Sequence, residues 1–199
     1  MNSAVGLTRA GAILIGMRLI VPVTILRWPL PGAIASAALD ASDVILVDVI
    51  AKALRTRAEF GPGYVRLDKW LDSYYLAVEA MESRGWPEVL ERRIGLALAV
   101  HRIAGVAAFE ATGDRRLLMA FPNLFENFYW YVLIRRRWAP GHALSGIGEA
   151  ARVLAVLLVP KLAQEWLLHV AGIRPWQLAK AAWAGGKGRE ADPSCRLRP

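Results

Sequence analysis

Residues 10–50 have the sequence AGAILIGMRLIVPVTILRWPLPGAIASAALDASDVILVDVI, two apolar runs separated by the Pro-rich residues 27–32. A helix needs roughly 20 mostly apolar residues to cross about 30 Å of hydrocarbon. The runs at residues 10–26 and 30–50 are close to that length. Because proline begins a helix more readily than it continues one, the segment between them predicts a tight helical hairpin.

Four further apolar stretches follow, at residues 67–81, 94–111, 117–134 and 150–171. The chain is 55% hydrophobic with a mean hydropathy of +0.32, whereas soluble domains are roughly 45–50% apolar. The sequence therefore predicts an all-α polytopic membrane protein with about six transmembrane helices in one bundle. Residues 1–183 would form this transmembrane domain, and the Gly-, Arg- and Pro-rich residues 184–199 a disordered cytoplasmic tail.

The charge distribution restricts both partners and orientation. The 25 Lys and Arg residues exceed the 17 Asp and Glu residues, giving a net charge of +8, but they lie between apolar runs rather than among aromatic residues. We therefore expect membrane lipid and no nucleic acid as a partner, with homo- and hetero-oligomers both left open.

The loops on the side of the two termini hold more Lys and Arg, which predicts a multi-pass plasma-membrane protein with cytoplasmic termini. The single cysteine, Cys195, excludes an internal disulfide and a thiolate metal cage.

Polar residues recur on single faces of the predicted helices. Positions three or four apart share a helix face. On the third helix this spacing aligns a continuous acidic stripe: Asp68, Asp72, Tyr75, Glu79 and Glu82. Further polar faces are formed by Asp40 with Asp43, by Asn123 with Glu126 and Asn127, and by Lys161 with Glu165 and His169. Since charged groups in membranes usually face the bundle interior, the stripes predict an acidic, partly hydrated chamber opening towards the cytoplasm.

The acids of the second and third helices are candidate metal ligands. Carboxylate oxygens are the ligands that Mg²⁺ and Mn²⁺ prefer, so Asp40, Asp43, Asp68 and Asp72 predict a site for one of these ions if they converge. The bound ion would relieve the repulsion among the four carboxylates.

Other charged residues are candidates for substrate binding. Arg18, Arg55 and Lys161 could hold phosphate, and Glu79 would contribute a further polar contact. In the alternative interpretation, the acids neutralise Arg18, Arg102 and Lys161 in a buried ion-pair network whose role is packing. For Lys161, an intrahelical salt-bridge ladder with the acid one turn later is the preferred interpretation.

Residues 67–76 (LDKWLDSYYL), 121–126 (FPNLFE) and 160–169 (PKLAQEWLLH) resemble segments of a family of bacterial integral membrane proteins without an assigned activity. This resemblance extends over nearly the whole chain. It implies a membrane protein and no particular reaction.

The two acid pairs also resemble the motif of the CDP-alcohol phosphotransferases, six-helix membrane enzymes that displace CMP from a CDP-linked donor. The family motif is D-x-x-D-G-x-x-A-R followed by G-x-x-x-D-x-x-x-D. Asp40-Ala-Ser-Asp43 matches the first pair and Asp68-Lys-Trp-Leu-Asp72 the second, whereas Val44 replaces the motif glycine and the interval between the pairs is longer. The resemblance implies that Asp40, Asp43 and Asp68 hold divalent metal, and that Asp72 is a ligand or the general base for an acceptor hydroxyl.

The longer interval suggests where the second helix ends. If it ended near Val47, with residues 48–60 along the membrane surface, the two pairs could lie at the same depth. Three functions are then compatible with the sequence: a metal-dependent transferase acting on a phosphate-linked lipid or alcohol, a transporter or channel for a cation or small polar solute, and a non-catalytic subunit of a membrane complex.

Overall fold

The computed structural model describes residues 7–57, 64–114 and 116–169, and the regular structure among these residues is all helical, with no strand. The elements are α1 (Arg9–Ile20), a 3-10 helical segment (Val21–Leu26), α2 (Pro29–Leu54), α3 (Tyr64–Ser83), α4 (Val89–Thr112), α5 (Arg116–Ala120), α6 (Leu124–Trp138) and α7 (Ile147–His169). The predicted all-α class is confirmed. The predicted tail, residues 184–199, lies outside the described residues.

The N-terminal part forms the expected hairpin. Thr8 caps α1 by accepting a hydrogen bond from the Gly11 backbone N–H, and Pro29 lies in the first turn of α2. Gly32 permits the close return of the chain, because a Cβ there would lie 2.6 Å from the backbone nitrogen of Ile25. The hairpin places the Arg18 face of α1 against α2.

The expected end of the second helix near Val47 is wrong, because α2 continues to Leu54. Val47 and Ala51 extend its buried face by a further turn and join Ala10 and Leu14 in an apolar cluster. The packing against α1 therefore holds this part of the chain in the helix.

The fifth predicted stretch is divided. Phe121, Pro122 and Asn123 separate α5 from α6, since proline has no N–H with which to continue the helical hydrogen bonds. Asn123 instead caps α6, and its Nδ2 donates to Glu126 Oε2 at 2.8 Å. Two of the polar residues expected to form a continuous face therefore form a local cap.

By length and composition, two helical segments of the described chain could cross a membrane. These are Arg9–Leu26, comprising α1 and the 3-10 segment, and Val89–Thr112, which is α4. The 15 residues of α6 extend only about 22 Å, less than the hydrocarbon thickness. The described residues therefore contain two candidate spans, and a bundle of six spans stays a prediction.

The main apolar core lies among α3, α4, α6 and α7, around Trp86, Phe125, Phe128 and Tyr129. The rings of Trp86 and Tyr129 stack with their centroids 5.6 Å apart. This core fixes the position of α3, whose first turns lie against α1 and α2.

An ionic cluster joins the start of α4 to the end of α6. We call its four residues, Glu88, Glu91, Arg135 and Arg136, the arginine clamp. Arg135 Nη2 donates to both carboxylate oxygens of Glu91, at 2.6 and 2.7 Å, and the Leu144 N–H donates to Glu91 Oε1 at 3.0 Å. Arg136 pairs with Glu88 and lies 4.8 Å from the Trp86 ring centroid.

Candidate metal centre

Four aspartates from two helices converge on one arginine of a third. Arg18 Nη1 donates to Asp43 at 3.2 Å and to Asp68 at 2.7 Å. Its Nη2 donates to Asp72 at 2.8 Å and to Asp40. We call these five residues, together with Lys69, the aspartate hub.

The helices place these side chains by their regular spacing. Asp40 and Asp43 lie on one face of α2, and Asp68 and Asp72 are one turn apart on α3. Because α1, α2 and α3 contact one another at this level, both acid faces meet the Arg18 side chain of α1. The uninterrupted α2 does not prevent the two pairs from meeting.

The carboxylate oxygens are close enough to share a cation. One oxygen from each of Asp40, Asp68 and Asp72 lies within 4.8 Å of the others. Oxygens bound to one octahedral Mg²⁺, at about 2.1 Å each, are at most about 4.2 Å apart. The donor set is all oxygen and anionic, so its chemistry and spacing fit a hard divalent ion after a small contraction.

The hub has a buried side and an open side. Arg18 is only 6% exposed and the Asp43 side chain 12%, whereas the Asp40 side chain is 49% exposed. Beside Arg18 lies a cavity of about 10 Å³, lined also by Ser36 and Tyr75, which has room for about one water molecule. Asp40, Asp68 and Asp72 are the more exposed acids of the hub and give a larger ligand an approach from that side.

The hub carries an excess of negative charge. Lys69 Nζ lies 3.1 Å from Asp72 Oδ2 and 3.5 Å from Asp68 Oδ2. When every group is ionised, these four carboxylates face two basic side chains within the hub, which leaves two negative charges in excess. This is the charge that one divalent cation neutralises.

The other predicted binding residues lie outside the hub. Arg55 is exposed at the C-terminal cap of α2, about 18 Å along the helix from Asp43. Glu79 lies two turns beyond Asp72 and is buried. Lys161 lines a cavity between α6 and α7 and donates to Gln164 Oε1 at 3.1 Å. The side chains of Glu165 and His169, the rest of the proposed ladder, are outside the described residues.

The structure also identifies residues that the sequence interpretation did not select. Lys69 lies three residues before Asp72, and this spacing is the signal that places it on the same helix face. Arg102, considered as a partner of the acids, donates instead to the Phe121 carbonyl at 2.8 Å. Tyr129 lies near Glu82 and Glu79 through packing of α6 against α3, and nothing in the local sequence indicates that contact.

Comparison of the chain with protein-family models, curated proteins and solved structures gives no match.

Proposed function

We propose that this chain is a divalent-metal-dependent membrane phosphotransferase, similar in its chemistry to the CDP-alcohol phosphotransferases, which acts on a phosphate-linked lipid or alcohol. The observation that carries the proposal is the approach of Asp40, Asp68 and Asp72 oxygens to within 4.8 Å from two different helices. Each acid that is moved out of water costs free energy, and apolar side chains alone can pack helices together. Four carboxylates around one cation are therefore more than helix packing requires.

In this proposal Mg²⁺ or Mn²⁺ is held by Asp40, Asp68 and Asp72, with Asp43 as a further ligand on the buried side. The bound ion would supply positive charge to the phosphate oxygens of the donor. Since Arg18 donates to all four aspartates, metal binding takes some of its acceptors away. Its guanidinium then has donors available for the phosphate of the substrate.

Asp72 is placed to remove a proton from an acceptor hydroxyl. Its side chain is 32% exposed on the open side of the hub, and its two oxygens contact different cations, Arg18 and Lys69. One oxygen can therefore remain oriented by the hub while the other accepts a proton. The donor must bind on the same open side, because the cavity beside Arg18 holds only about one water molecule.

A membrane location is supported by apolar side chains that face outward. Ile20, Val100, Val156 and Val159 are all at least 67% exposed, on α1, α4 and α7. Soluble monomers rarely expose large contiguous apolar patches, whereas lipid-facing helices require them. We propose a multi-pass plasma-membrane protein with both termini in the cytoplasm, with the hub near the cytoplasmic surface.

The proposal is tested by Mn²⁺ binding to the purified protein in detergent, measured by electron paramagnetic resonance. We expect one site, lost or weakened at least tenfold in Asp43→Asn and Asp72→Asn. Asp48→Asn, on the same α2 but outside the hub, is the matched control and should bind Mn²⁺ as the wild type does. CMP release from CDP-linked donors would then be measured with a panel of alcohol acceptors.

The proposed transferase function would be overturned if the protein bound no Mn²⁺, or if both hub variants bound it as the wild type does. The hub would then be an ion-pair network of a non-catalytic subunit, an interpretation favoured by the position of Arg18 between the carboxylates.

A further inference from the structure

Glu79 of α3 is fully buried, and the described residues give its carboxylate no hydrogen bond of standard geometry. Its relative exposure is 0%, and neither carboxylate oxygen is hydrogen-bonded by any described residue. Buried carboxylates are almost always paired or hydrogen-bonded, because an isolated negative charge is strongly disfavoured away from water. A bound cation would remove this cost for the ionised group.

Two tyrosine hydroxyls in the same region are also unsatisfied. Tyr75 lies one turn before Glu79 and interacts with its carboxylate, and Tyr129 comes from α6. Neither hydroxyl makes a hydrogen bond of acceptable geometry with a described residue, although Tyr129 is 0% exposed. Three oxygen-bearing side chains from two helices are thus buried together with unused lone pairs.

The neighbouring acids already have partners. Glu82 Oε2 accepts a hydrogen bond from Trp86 Nε1 at 3.0 Å, and Glu126 Oε2 accepts one from Asn123 Nδ2 at 2.8 Å. Both acids act electrostatically on Glu79 and increase the negative potential at its carboxylate. Arg136 also acts electrostatically on Tyr129, and it is paired with Glu88 of the arginine clamp.

A cavity of the bundle shares one acid with the surroundings of Glu79. A cavity of about 470 Å³ lies between α6 and α7, and Glu126 lines it together with Asn127, Lys161 and Gln164. Its volume is within the usual range for small-ligand sites, and its lining combines these polar side chains with Trp130, Tyr131, Ile134 and Leu157. Glu126 therefore belongs both to the cavity and to the charged surroundings of Glu79.

We propose that Glu79, Tyr75 and Tyr129 form a binding site for one alkali-metal cation inside the helical bundle, entered from the α6–α7 cavity past Glu126. All three ligands are hard oxygens, which suit Na⁺ or K⁺. One carboxylate with two neutral hydroxyls carries a single negative charge, so a monovalent ion balances it. The aspartate hub, with its two excess negative charges, is the contrasting case. The cation site does not depend on the proposed phosphotransferase activity.

The test is equilibrium binding of radioactive Na⁺ to the full chain in detergent, with choline chloride holding the ionic strength constant and K⁺ as a competitor. We expect one saturable site per chain, occupied by Na⁺ or displaced by K⁺. Glu79→Gln should weaken binding at least tenfold. Glu82→Gln removes an acid one turn away that acts on Glu79 only electrostatically, so it should weaken binding less than Glu79→Gln does.

Two further variants keep the outcome decisive. Asp72→Asn removes a hub ligand and should leave alkali-cation binding unchanged, which separates this site from the metal centre. Tyr75→Phe removes only one hydroxyl and should weaken binding about threefold to tenfold. It serves as the test variant if Glu79→Gln does not fold. The proposal is overturned if no saturable Na⁺ or K⁺ binding is found, as a permanently protonated Glu79 would give, or if binding is unchanged in both Glu79→Gln and Tyr75→Phe.

Discussion

The aspartate hub and the arginine clamp are built from the same kinds of charged group but differ in balance and burial. In the clamp, Glu91 is fully buried, receives two hydrogen bonds from Arg135, and accepts a third from the Leu144 N–H. In the hub, Arg18 is buried, but the carboxylates around it are 12 to 49% exposed and outnumber the cations of the hub.

This difference separates a structural ion pair from a ligand site. The two acids of the clamp face two arginines, so an added cation would gain nothing there. Among its six named residues the hub has more acids than bases, and it has an open side, so an added divalent cation gains Coulomb energy without being fully desolvated. Balance and access, rather than the number of charges, therefore distinguish the two regions.

The largest effect is expected at the clamp. Glu91→Ala leaves the nearly buried Arg135 without its carboxylate and the Leu144 N–H without an acceptor. We expect a loss of about 3–5 kcal/mol in the free energy of unfolding, measured by denaturant titration in detergent. Glu88→Ala, at a partly exposed acid, should cost no more than about 1 kcal/mol. Equal losses of unfolding free energy in the two variants would show that the buried Glu91 contributes no more than the partly exposed Glu88.

A smaller loss, reversible by metal, is expected when the central cation of the hub is removed. Arg18→Met leaves four carboxylates without their shared donor and should destabilise the protein by about 3 kcal/mol in EDTA. Mg²⁺ at 100 times its dissociation constant should restore about 2.7 kcal/mol. Arg135→Met in the clamp is the matched control, since Mg²⁺ cannot replace an arginine between balanced partners. If Mg²⁺ raised the melting temperature of both variants equally, the hub would not differ from the clamp as a cation site.

A backbone change tests how the hub is positioned. Gly32→Ala places a methyl group 2.6 Å from the Ile25 nitrogen, so the N-terminal hairpin must shift at a cost of about 1–3 kcal/mol. Because the hairpin sets Arg18 against α2, Mn²⁺ affinity should fall together with the melting temperature. Gly16→Ala is the control: a Cβ there meets nothing within 4 Å, and alanine favours the helix. If Gly32→Ala behaved like Gly16→Ala, close approach at this turn would not determine the hub geometry.

The smallest effect on stability, but an informative one on binding, is expected for Lys69→Ala. Its ion pairs with Asp68 and Asp72 are partly exposed, so the unfolding free energy should change by less than about 1 kcal/mol. Removing this competing cation should nevertheless strengthen Mn²⁺ binding about threefold to tenfold, a change of roughly 1 kcal/mol. Paramagnetic resonance titration measures it, and weaker binding would show that Lys69 supports the site rather than competing for it.

Much of the local structure could be predicted from the sequence. The apolar runs and the Pro-rich segment predicted the hairpin of α1 and α2, and the spacing of Asp68 and Asp72 predicted their shared face. Two predictions failed for reasons of packing and capping: α2 continued past Val47 because Ala51 is buried against α1, and the fifth stretch divided because Asn123 caps α6 after Pro122.

The sequence by itself determined the helical elements and the residues that share each helix face, because both follow from the 3.6-residue period and from proline and capping residues. Only the tertiary structure decided that Arg18 would lie among acids 22 to 54 positions later, and that Tyr129 would lie near Glu79. A helix face is a local property, whereas its partner depends on the rotation and depth at which separate helices pack. The packing of α1, α2, α3 and α6 therefore turned separate polar stripes into an aspartate hub and a buried glutamate site.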